Sequence, residues 1–314
     1  MIKPTLICVV SPTAIGKTSL GIKLAQKFKA DVISADSRQI YKGMPIGTAA
    51  PTAEEQSQAK HHFVEFLTPD KLYSAGDFEK DVKKFLEEYF KTCPIAIIVG
   101  GSGLYVKGVV EGFDLLPADL EIRKTLNARF EAEGIEPLQG ELEKLDPKHY
   151  SKMDTKNPQR VIRALEVCLK TGKPFSSFHK SDDNADKKAG EKAGEKAGER
   201  PFDIIQVGLE APREVVNERI AKRTQIMLDQ GWVEETKKLL PYRDENSLNT
   251  VGYKEIFAHL DGDMTLEEAQ ERIVISTRQF AKRQMTWFRK DKSITWFDYQ
   301  NADKAIEFVE KQLS

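Results

Sequence analysis

The chain has 314 residues, of which 40% are hydrophobic and 31% are charged, and this mixture excludes a fibrous or globally disordered protein. The 48 basic residues almost balance the 49 acidic ones, so the net charge of −1 gives no whole-chain signal for nucleic-acid binding. The three cysteines are far apart and lack a CxxC spacing, which argues against a disulfide framework or a zinc site and favours a reducing compartment: Cys8, Cys93 and Cys168.

The first third of the chain alternates between strand and helix patterns. A continuous apolar run at 6–10 predicts a buried parallel strand, and Leu20, Leu24 and Phe28 then recur at helical spacing. A second strand is predicted at 31–34, a capping box at 74–77 opens a helix, and a third strand at 95–99 runs into two glycines. This alternation predicts an α/β fold with a parallel sheet flanked by helices.

The pattern changes after Phe113. Residues 119–180 show helical periodicity, with a helix start at Asn157-Pro158 and a stop at Thr171-Gly172. Sheet and helix patterns then resume at 203–209, at 212–229 with a stop at Gly231, from Thr265 to about Arg289, and at 293–298. We therefore predict a core made of 1–115 and 201–314, with 116–200 inserted as an all-helical domain.

A polar tract at 181–200 contains the sequence Lys-Ala-Gly-Glu three times. It is either an arm that touches RNA or a solvated, mobile loop. The alternating charges and the lack of an apolar anchor favour the loop. We found no signal peptide or apolar stretch long enough to cross a membrane, so we expect a cytoplasmic protein without a membrane partner.

A phosphate-binding loop is predicted between the first strand and the first helix. Its residues are Ser11, Pro12, Thr13, Ala14, Ile15, Gly16, Lys17 and Thr18. In this context backbone N–H groups converge on phosphate oxygens, the lysine supplies a positive charge, and the threonine hydroxyl can bind Mg²⁺. The alternative is a fortuitous turn with an exposed Lys-Thr pair. The loop departs from the usual pattern at Ser11, where a glycine would permit backbone torsions that serine adopts less easily.

The carboxylate that an NTPase places after its buried strand is missing here. The strand at 95–99 ends in Gly100-Gly101-Ser102, whereas a carboxylate, Asp36, follows the second strand. Because ligands bind at the carboxyl ends of parallel strands, we expect Asp36, Lys17 and Ser102 to lie at one mouth. From the residues alone, Asp36 is a magnesium ligand, a general base or a simple turn cap.

Six segments together resemble the tRNA dimethylallyltransferase family, in its bacterial form. They occur in family order over nearly the whole chain: SPTAIGKT (11–18), ISADSRQIYKGMPIGTA (33–49), IIVGGSGLYVKG (97–108), NPQRVIRALEV (157–167), VGYKEIF (251–257) and RQFAKRQMTWFR (278–289). The resemblance implies a P-loop NTPase-like fold that moves a dimethylallyl group from dimethylallyl diphosphate to N6 of adenosine 37, next to the anticodon. It also implies Mg²⁺ as the cofactor and the tRNA anticodon stem-loop as the partner, and we expect the protein to be a monomer.

The resemblance also assigns roles to individual residues. It implies that Asp36 is the general base, and that Lys17, Thr13 and Arg223 act on the diphosphate, although on the sequence alone an exposed helix charge is the preferred interpretation of Arg223. Ser102 stands where the family commonly has threonine. The positions matched to tRNA contact are Asp36, Ser37, Arg38, Gln39, Ser102, Arg123, Gln159, Arg160, Arg163, Arg278, Lys282 and Arg283.

Basic residues cluster near the last of these segments. Arg278, Lys282 and Arg283 are accompanied by Trp287 and Phe288, and aromatic planes can stack bases. Without the resemblance, a solvated helix face with core aromatics would be the preferred interpretation. Two other functions stay open: a small-molecule or nucleotide kinase of P-loop type, and an RNA-binding relic whose loop no longer works.

Overall fold

The computed structural model describes residues 3–113, 116–117, 119–178 and 201–314. The chain divides into two compact units: a core unit of Met1–Gly112 and Arg200–Ser314, and an insertion unit of Phe113–Glu199. The Lys-Ala-Gly-Glu tract predicted at 181–200 lies outside the described residues. None of the described helices combines the length and apolar composition needed to span a membrane.

The core unit is built on a parallel sheet of six strands in the order β3-β2-β4-β1-β5-β6. The strands are β1 (Thr5–Val10), β2 (Val32–Ser34), β3 (His61–His62), β4 (Ile95–Gly100), β5 (Asp203–Glu210) and β6 (Thr295–Asp298). Every residue of β1 is buried, because β4 and β5 pair with its two edges and helices cover both faces. This explains the uninterrupted apolar run in the sequence, and the α/β prediction is confirmed.

Ten helices belong to the described part of the core unit. They are α1 (Lys17–Phe28), α2 (Pro45–Thr48), α3 (Ala53–Gln58), α4 (Ala75–Tyr89), α5 (Gly103–Glu111), α10 (Arg213–Asp229), α11 (Trp232–Lys238), α12 (Tyr253–Leu260), α13 (Leu266–Phe288) and α14 (Ala302–Leu313). The sequence signals predicted the starts of α4, α10 and α13. Ser74 and Thr265 form reciprocal capping boxes at the starts of α4 and α13. α10 ends as predicted: Gln230 is its C-cap, and Gly231 follows with φ 95° and is also the N-cap of α11.

The insertion unit is helical throughout its described part. Its helices are α6 (Leu120–Glu133), α7 (Glu136–Leu145), α8 (Pro147–Tyr150) and α9 (Pro158–Thr171). Leu126, Leu138, Leu142 and Leu165 form its apolar core. Asn157 caps α9 through its side chain, and Gly172 ends the helix with φ 66°, as the sequence predicted.

Candidate active site

The loop between β1 and α1 has the backbone of an anion-binding turn. Ala14 and Gly16 have φ of 71° and 102°, while Ser11 is not among the residues with positive φ. Ser11 is fully buried, and its hydroxyl donates a 2.7 Å hydrogen bond to the carbonyl of Pro12. The expectation that this position favours a glycine is therefore wrong, because the strained torsions fall on Ala14 and Gly16 instead.

Two partly buried cations meet at this loop. Arg223 of α10 donates from Nη2 to the hydroxyl oxygen of Thr13 over 2.7 Å. Burial lowers the pKa of Lys17 to about 8; the negative charge of Asp36 raises it, and the positive charge of Arg223 lowers it further. Burial also lowers the pKa of Arg223, partly offset by Asp36. We call the loop with Lys17 and Arg223 the cationic site.

The cationic site lacks a neutralising carboxylate in direct contact. Within the described ranges, no carboxylate oxygen lies within 4.0 Å of the Lys17 ammonium or the Arg223 guanidinium. Among the described residues, Asp36 is the carboxylate that raises the pKa of both groups, and it acts at longer range. A site that binds an anionic ligand is expected to contain positive charges that are partly withdrawn from water and have no counter-ion in contact.

The carboxylate of Asp36 faces the same small cavity as Lys17 and Thr18. Its Oδ1 accepts a 2.9 Å hydrogen bond from the backbone N–H of Arg38, so one oxygen caps the turn. The other oxygen, Oδ2, accepts no hydrogen bond from the described residues and can accept a proton. The structure thus brings together the loop lysine and the carboxylate that follows β2.

The glycines after β4 let the two neighbouring strand ends approach closely. A Cβ on Gly100 would lie 2.1 Å from the carbonyl oxygen of Ala35, so no side chain fits there. Ser102, two residues on, accepts a 3.0 Å hydrogen bond from the backbone N–H of Ser37. The structure therefore places Ser102 beside the segment that carries Asp36.

The side chain of Gln39 is engaged within the core unit. Its Nε2 donates to the carbonyls of Thr48 and Ala49 at 3.2 and 2.9 Å, and its Oε1 accepts from the hydroxyl of Ser34 at 2.8 Å. These three bonds use most of the hydrogen-bonding capacity of the amide. They give Gln39 a structural role in holding 36–49 next to β2, in addition to the contact that the sequence predicts.

The basic residues of α13 do not form a single surface. At about 100° per residue, Arg278 and Lys282 share one flank of the helix, whereas Arg283 lies about 100° further round. All three are exposed. Trp287 follows Arg283 by one turn and is 38% exposed; a Cβ on Gly103 would lie 2.2 Å from its ring. Phe288 is buried in the core, so the expectation that it could stack bases is wrong.

A buried amide on α13 was not predicted from the sequence as a site residue. Gln284 is 6% exposed; its Oε1 accepts from the backbone N–H of Thr13 at 2.9 Å, and its Nε2 donates to the carbonyl of Gly101 at 3.0 Å. The available signal was its position, because Ala281, Gln284 and Phe288 share the apolar face of the helix. A polar residue on such a face needs partners, and here the partners are two loops of the candidate site.

The arginines of the insertion unit belong to a separate group around Glu166, which we call the glutamate cluster. Arg123 donates from Nε and Nη2 to the carboxylate of Glu166, and Arg163 donates from Nη1. Arg163 also donates to the carbonyls of Leu116 and Pro117. Gln159 and Arg160 are exposed and lie outside the glutamate cluster.

The oxygen donors at the cavity fit a magnesium ion that is shared with a substrate. No group of three or more His, Cys, Asp or Glu side chains in the described ranges is arranged to hold a metal. However, the Thr18 hydroxyl and the Asp36 carboxylate line one cavity next to the phosphate loop. Mg²⁺ commonly takes one or two protein oxygens and completes its shell with phosphate oxygens and water.

Comparisons with known proteins agree on one family. A family model described as IPP transferase matches residues 39–291. The chain is 47% identical over 311 residues to a tRNA dimethylallyltransferase of Christiangramia forsetii and 45% identical to one of Flavobacterium psychrophilum; each match covers 98% of both chains.

Solved structures give the same result. The tRNA isopentenylpyrophosphate transferase of Bacillus halodurans superposes with a TM-score of 0.70 at 34% identity, covering 99% of this chain and 97% of that one. A eukaryotic dimethylallyltransferase acting on tRNA superposes with a TM-score of 0.74 at 26% identity, covering 94% of this chain and 74% of that one.

Proposed function

Because this chain belongs to the IPP transferase family of tRNA dimethylallyltransferases, we propose that it transfers a dimethylallyl group from dimethylallyl diphosphate to N6 of adenosine 37 in tRNA. The products are N6-isopentenyladenosine in the tRNA and free diphosphate. The observation that carries the proposal is the cationic site, where Lys17 and Arg223 converge on the phosphate loop without a carboxylate in contact.

The diphosphate of the donor binds in the cationic site. Backbone N–H groups of the loop and the N-terminus of α1 donate to its oxygens, and Lys17 supplies positive charge. The Thr13 hydroxyl accepts from Arg223, so its own proton is free to donate to a diphosphate oxygen. These groups stabilise the negative charge that develops on the leaving diphosphate as the bond from C1 to oxygen breaks.

The acceptor is activated by Asp36. The N6 amine of adenine is a weak nucleophile, because its lone pair is delocalised into the ring. As N6 bonds to C1 of the dimethylallyl group and the C1–O electron pair leaves with the diphosphate, one N6 proton passes to Oδ2 of Asp36. General base catalysis of this kind contributes about 10²–10⁴-fold. The hydrogen bond from Arg38 N–H to Oδ1 holds the carboxylate in place.

Magnesium completes the donor site. Thr18, with Asp36 close by, would hold the ion against the diphosphate. When bound, the ion adds positive charge beside the leaving group. The phosphate loop orients the donor, and Asp36 orients the acceptor. Both lie at the same edge of the sheet, where the parallel strands end.

The tRNA is held by basic residues outside the cationic site. Adenosine 37 must leave the anticodon-loop stack to reach Asp36, which costs a few kcal/mol at most, because loop bases are only partly stacked. Exposed basic groups on α13 are available for contacts with the tRNA backbone, and Trp287, which follows Arg283 by one turn, lies against Gly103, next to Ser102. Backbone contacts of this kind give affinity that falls with salt and carry little sequence information.

The test is a direct assay of the product. The purified chain is incubated with Mg²⁺, dimethylallyl diphosphate and an anticodon stem-loop that carries A36-A37, and the RNA is weighed by mass spectrometry. A gain of one dimethylallyl group on A37 supports the proposal. Binding of the RNA without a gain in mass would favour an inactive binder. Hydrolysis of ATP with neither binding nor mass gain would favour the kinase, and both results overturn the proposal.

A further inference from the structure

The donor loop and the acceptor segment are joined by one side chain. Gln284 of α13 bonds to the backbone of Thr13 on one side and to the backbone of Gly101 on the other. Thr13 belongs to the cationic site. Gly101 precedes Ser102, whose hydroxyl oxygen accepts from Ser37, the neighbour of Asp36. A continuous chain of contacts therefore runs from the phosphate loop to the segment of Asp36, and among the described residues of α13 Gln284 is the one that hydrogen-bonds to both loops.

The bond to Thr13 has a specific consequence for the loop. In a phosphate loop the backbone N–H groups are the principal anion donors, yet the N–H of Thr13 is committed to the amide oxygen of Gln284. This fixes the peptide before Thr13. The Thr13 hydroxyl is fixed from the other side by Arg223 at 2.7 Å. Thr13 is therefore held by two elements, one through its main chain and one through its side chain.

The bond to Gly101 is equally constrained. Gln284 is 6% exposed, so the oxygen and the nitrogen of its amide are withdrawn from water and depend on these two partners for hydrogen bonds. A Cβ on Gly101 would lie 2.2 Å from Nε2 of Gln284, which shows how closely the backbone approaches the amide. The amide of Gln284 thus spans both loops, with its acceptor on Thr13 and its donor on Gly101.

We propose that Gln284 is a positioning residue that sets the spacing between the diphosphate loop and the segment carrying Asp36. This inference rests on the proposed function, because it concerns the geometry of that transfer. Gln284 touches neither substrate. It acts through Thr13 on the leaving group and through Gly101 and Ser102 on the acceptor side. A shift of about 1 Å between reacting groups can cost about 10²-fold in rate while each substrate still binds.

The test compares Gln284→Met with Gln270→Met. Methionine keeps the length and volume of glutamine but has neither the donor nor the acceptor. Gln270 is a matched control on the same helix; its amide bonds to Gln225 at the surface, and it lies about 21 Å along the helix from Gln284. Both variants are assayed for single-turnover transfer with saturating tRNA and donor, for donor Kd, and for Tm.

The expected result is a split between rate and binding. Gln284→Met lowers the single-turnover rate per active site by about 10- to 100-fold, while its donor Kd changes by less than about threefold. Gln270→Met keeps the wild-type rate. A Gln284→Met protein with a lower Tm but a wild-type rate per titrated active site would overturn the proposal, because glutamine would then only support folding.

A second variant keeps the test decisive if Gln284→Met does not fold. Gln284→Glu keeps an acceptor for Thr13 but loses the donor to Gly101 and adds a negative charge beside the diphosphate. It should lower the rate and also weaken donor binding, and an unchanged rate would overturn the proposal. If the wild-type protein transfers no dimethylallyl group, the proposed function itself fails, which is a separate outcome.

Discussion

The cationic site and the glutamate cluster use the same residue types in opposite ways. At the cationic site, Lys17 and Arg223 are partly buried, and the only carboxylate that acts on them, Asp36, makes no direct ion pair in the described residues. In the glutamate cluster the carboxylate is the buried group, at 0% exposure, and two arginines with about one third of their side chains exposed surround it.

This difference is visible in the direction of the pKa shifts. At the cationic site, burial lowers the pKa of Lys17 and of Arg223, because their charged forms lose hydration, and Asp36 partly offsets this. In the glutamate cluster, burial raises the pKa of Glu166, but hydrogen bonds from the backbone of Asp119 and from Arg123 and Arg163 outweigh it, and the net pKa is lowered. Among the described residues, the cations of the first site have no carboxylate in contact, whereas the buried carboxylate of the second has two arginines.

Arg160 and Arg163 look alike in the sequence but have different surroundings in the structure. Arg163 and Arg160 stand three residues apart in one segment, and both match positions for tRNA contact. In the structure Arg163 donates to Glu166 and to the carbonyls of Leu116 and Pro117, while Arg160 is exposed. A positive charge is thus no guide to function unless its counter-ion is known.

The largest expected effect is a loss of turnover when Asp36, beside the cationic site, is replaced. Asp36→Asn keeps the hydrogen bond from Arg38 but cannot accept the N6 proton, so turnover should fall by about 10²–10⁴-fold. Unfolding free energy and tRNA Kd should stay close to wild type. Single-turnover assays, with tRNA binding measured by filter retention, check this. A variant that transfers at the normal rate would remove Asp36 as the base.

The next largest effect is a loss of stability of the insertion unit when the glutamate cluster is disrupted. Glu166→Gln removes the charge that two guanidiniums and the Asp119 N–H share, and should lower the free energy of unfolding by about 2–3 kcal/mol. This is below the full cost of breaking a buried pair, because the arginines retain access to water. Glu143→Gln is the matched control, since Glu143 is exposed in the same unit.

Hydrogen exchange localises that loss. Amides of α9 should exchange faster in Glu166→Gln, and those of β1 should not change, because the two lie in different units. Equal stability of Glu166→Gln and wild type would mean that the cluster is not a structural support, and the comparison with the cationic site would fail.

A smaller effect follows from the pKa of Lys17. Its pKa of about 8 means that the ammonium is mostly charged below pH 8 and mostly neutral above it, and in the proposed function the diphosphate binds the charged form. At pH 9 about one molecule in ten is protonated, so donor affinity should fall by up to about tenfold between pH 7 and pH 9. Calorimetry without added magnesium measures this. Lys17→Arg stays charged throughout, so its affinity should change less, and a flat wild-type profile would contradict the prediction.

The sequence predicted the elements whose signals are local. The apolar run of β1 and the capping boxes at Ser74 and Thr265 depend on neighbouring residues only, and all three were found. β3 was not predicted, because two residues, His61 and His62, carry no recognisable period. Its pairing depends on β2, which is distant in sequence.

The sequence predicted those residues of the candidate site whose position follows from a local signal. Lys17 and Asp36 follow strand ends, and parallel strands bring such ends together. Gln284 was missed because its role is relational: nothing in its neighbours indicates partners 183 and 271 residues away. Similarly, the sequence showed Gly100 and Gly101 only as the place where an NTPase would have a carboxylate. The structure explains Gly100 by its close packing against Ala35.

The smallest effect tests whether α13 is divided into two functional flanks. Arg283→Ala should weaken tRNA binding several-fold and reduce the slope of log K against log salt by about one, because one phosphate contact is lost. Arg283 shares its flank with Trp287, which packs on Gly103, whereas Arg278 lies on the other flank. Arg278→Ala should therefore change the slope less. Arg289→Ala is the control, because its guanidinium pairs with Glu210. If Arg278→Ala and Arg283→Ala reduce the slope equally, RNA wraps both flanks, and the basic residues of this helix act as one surface after all.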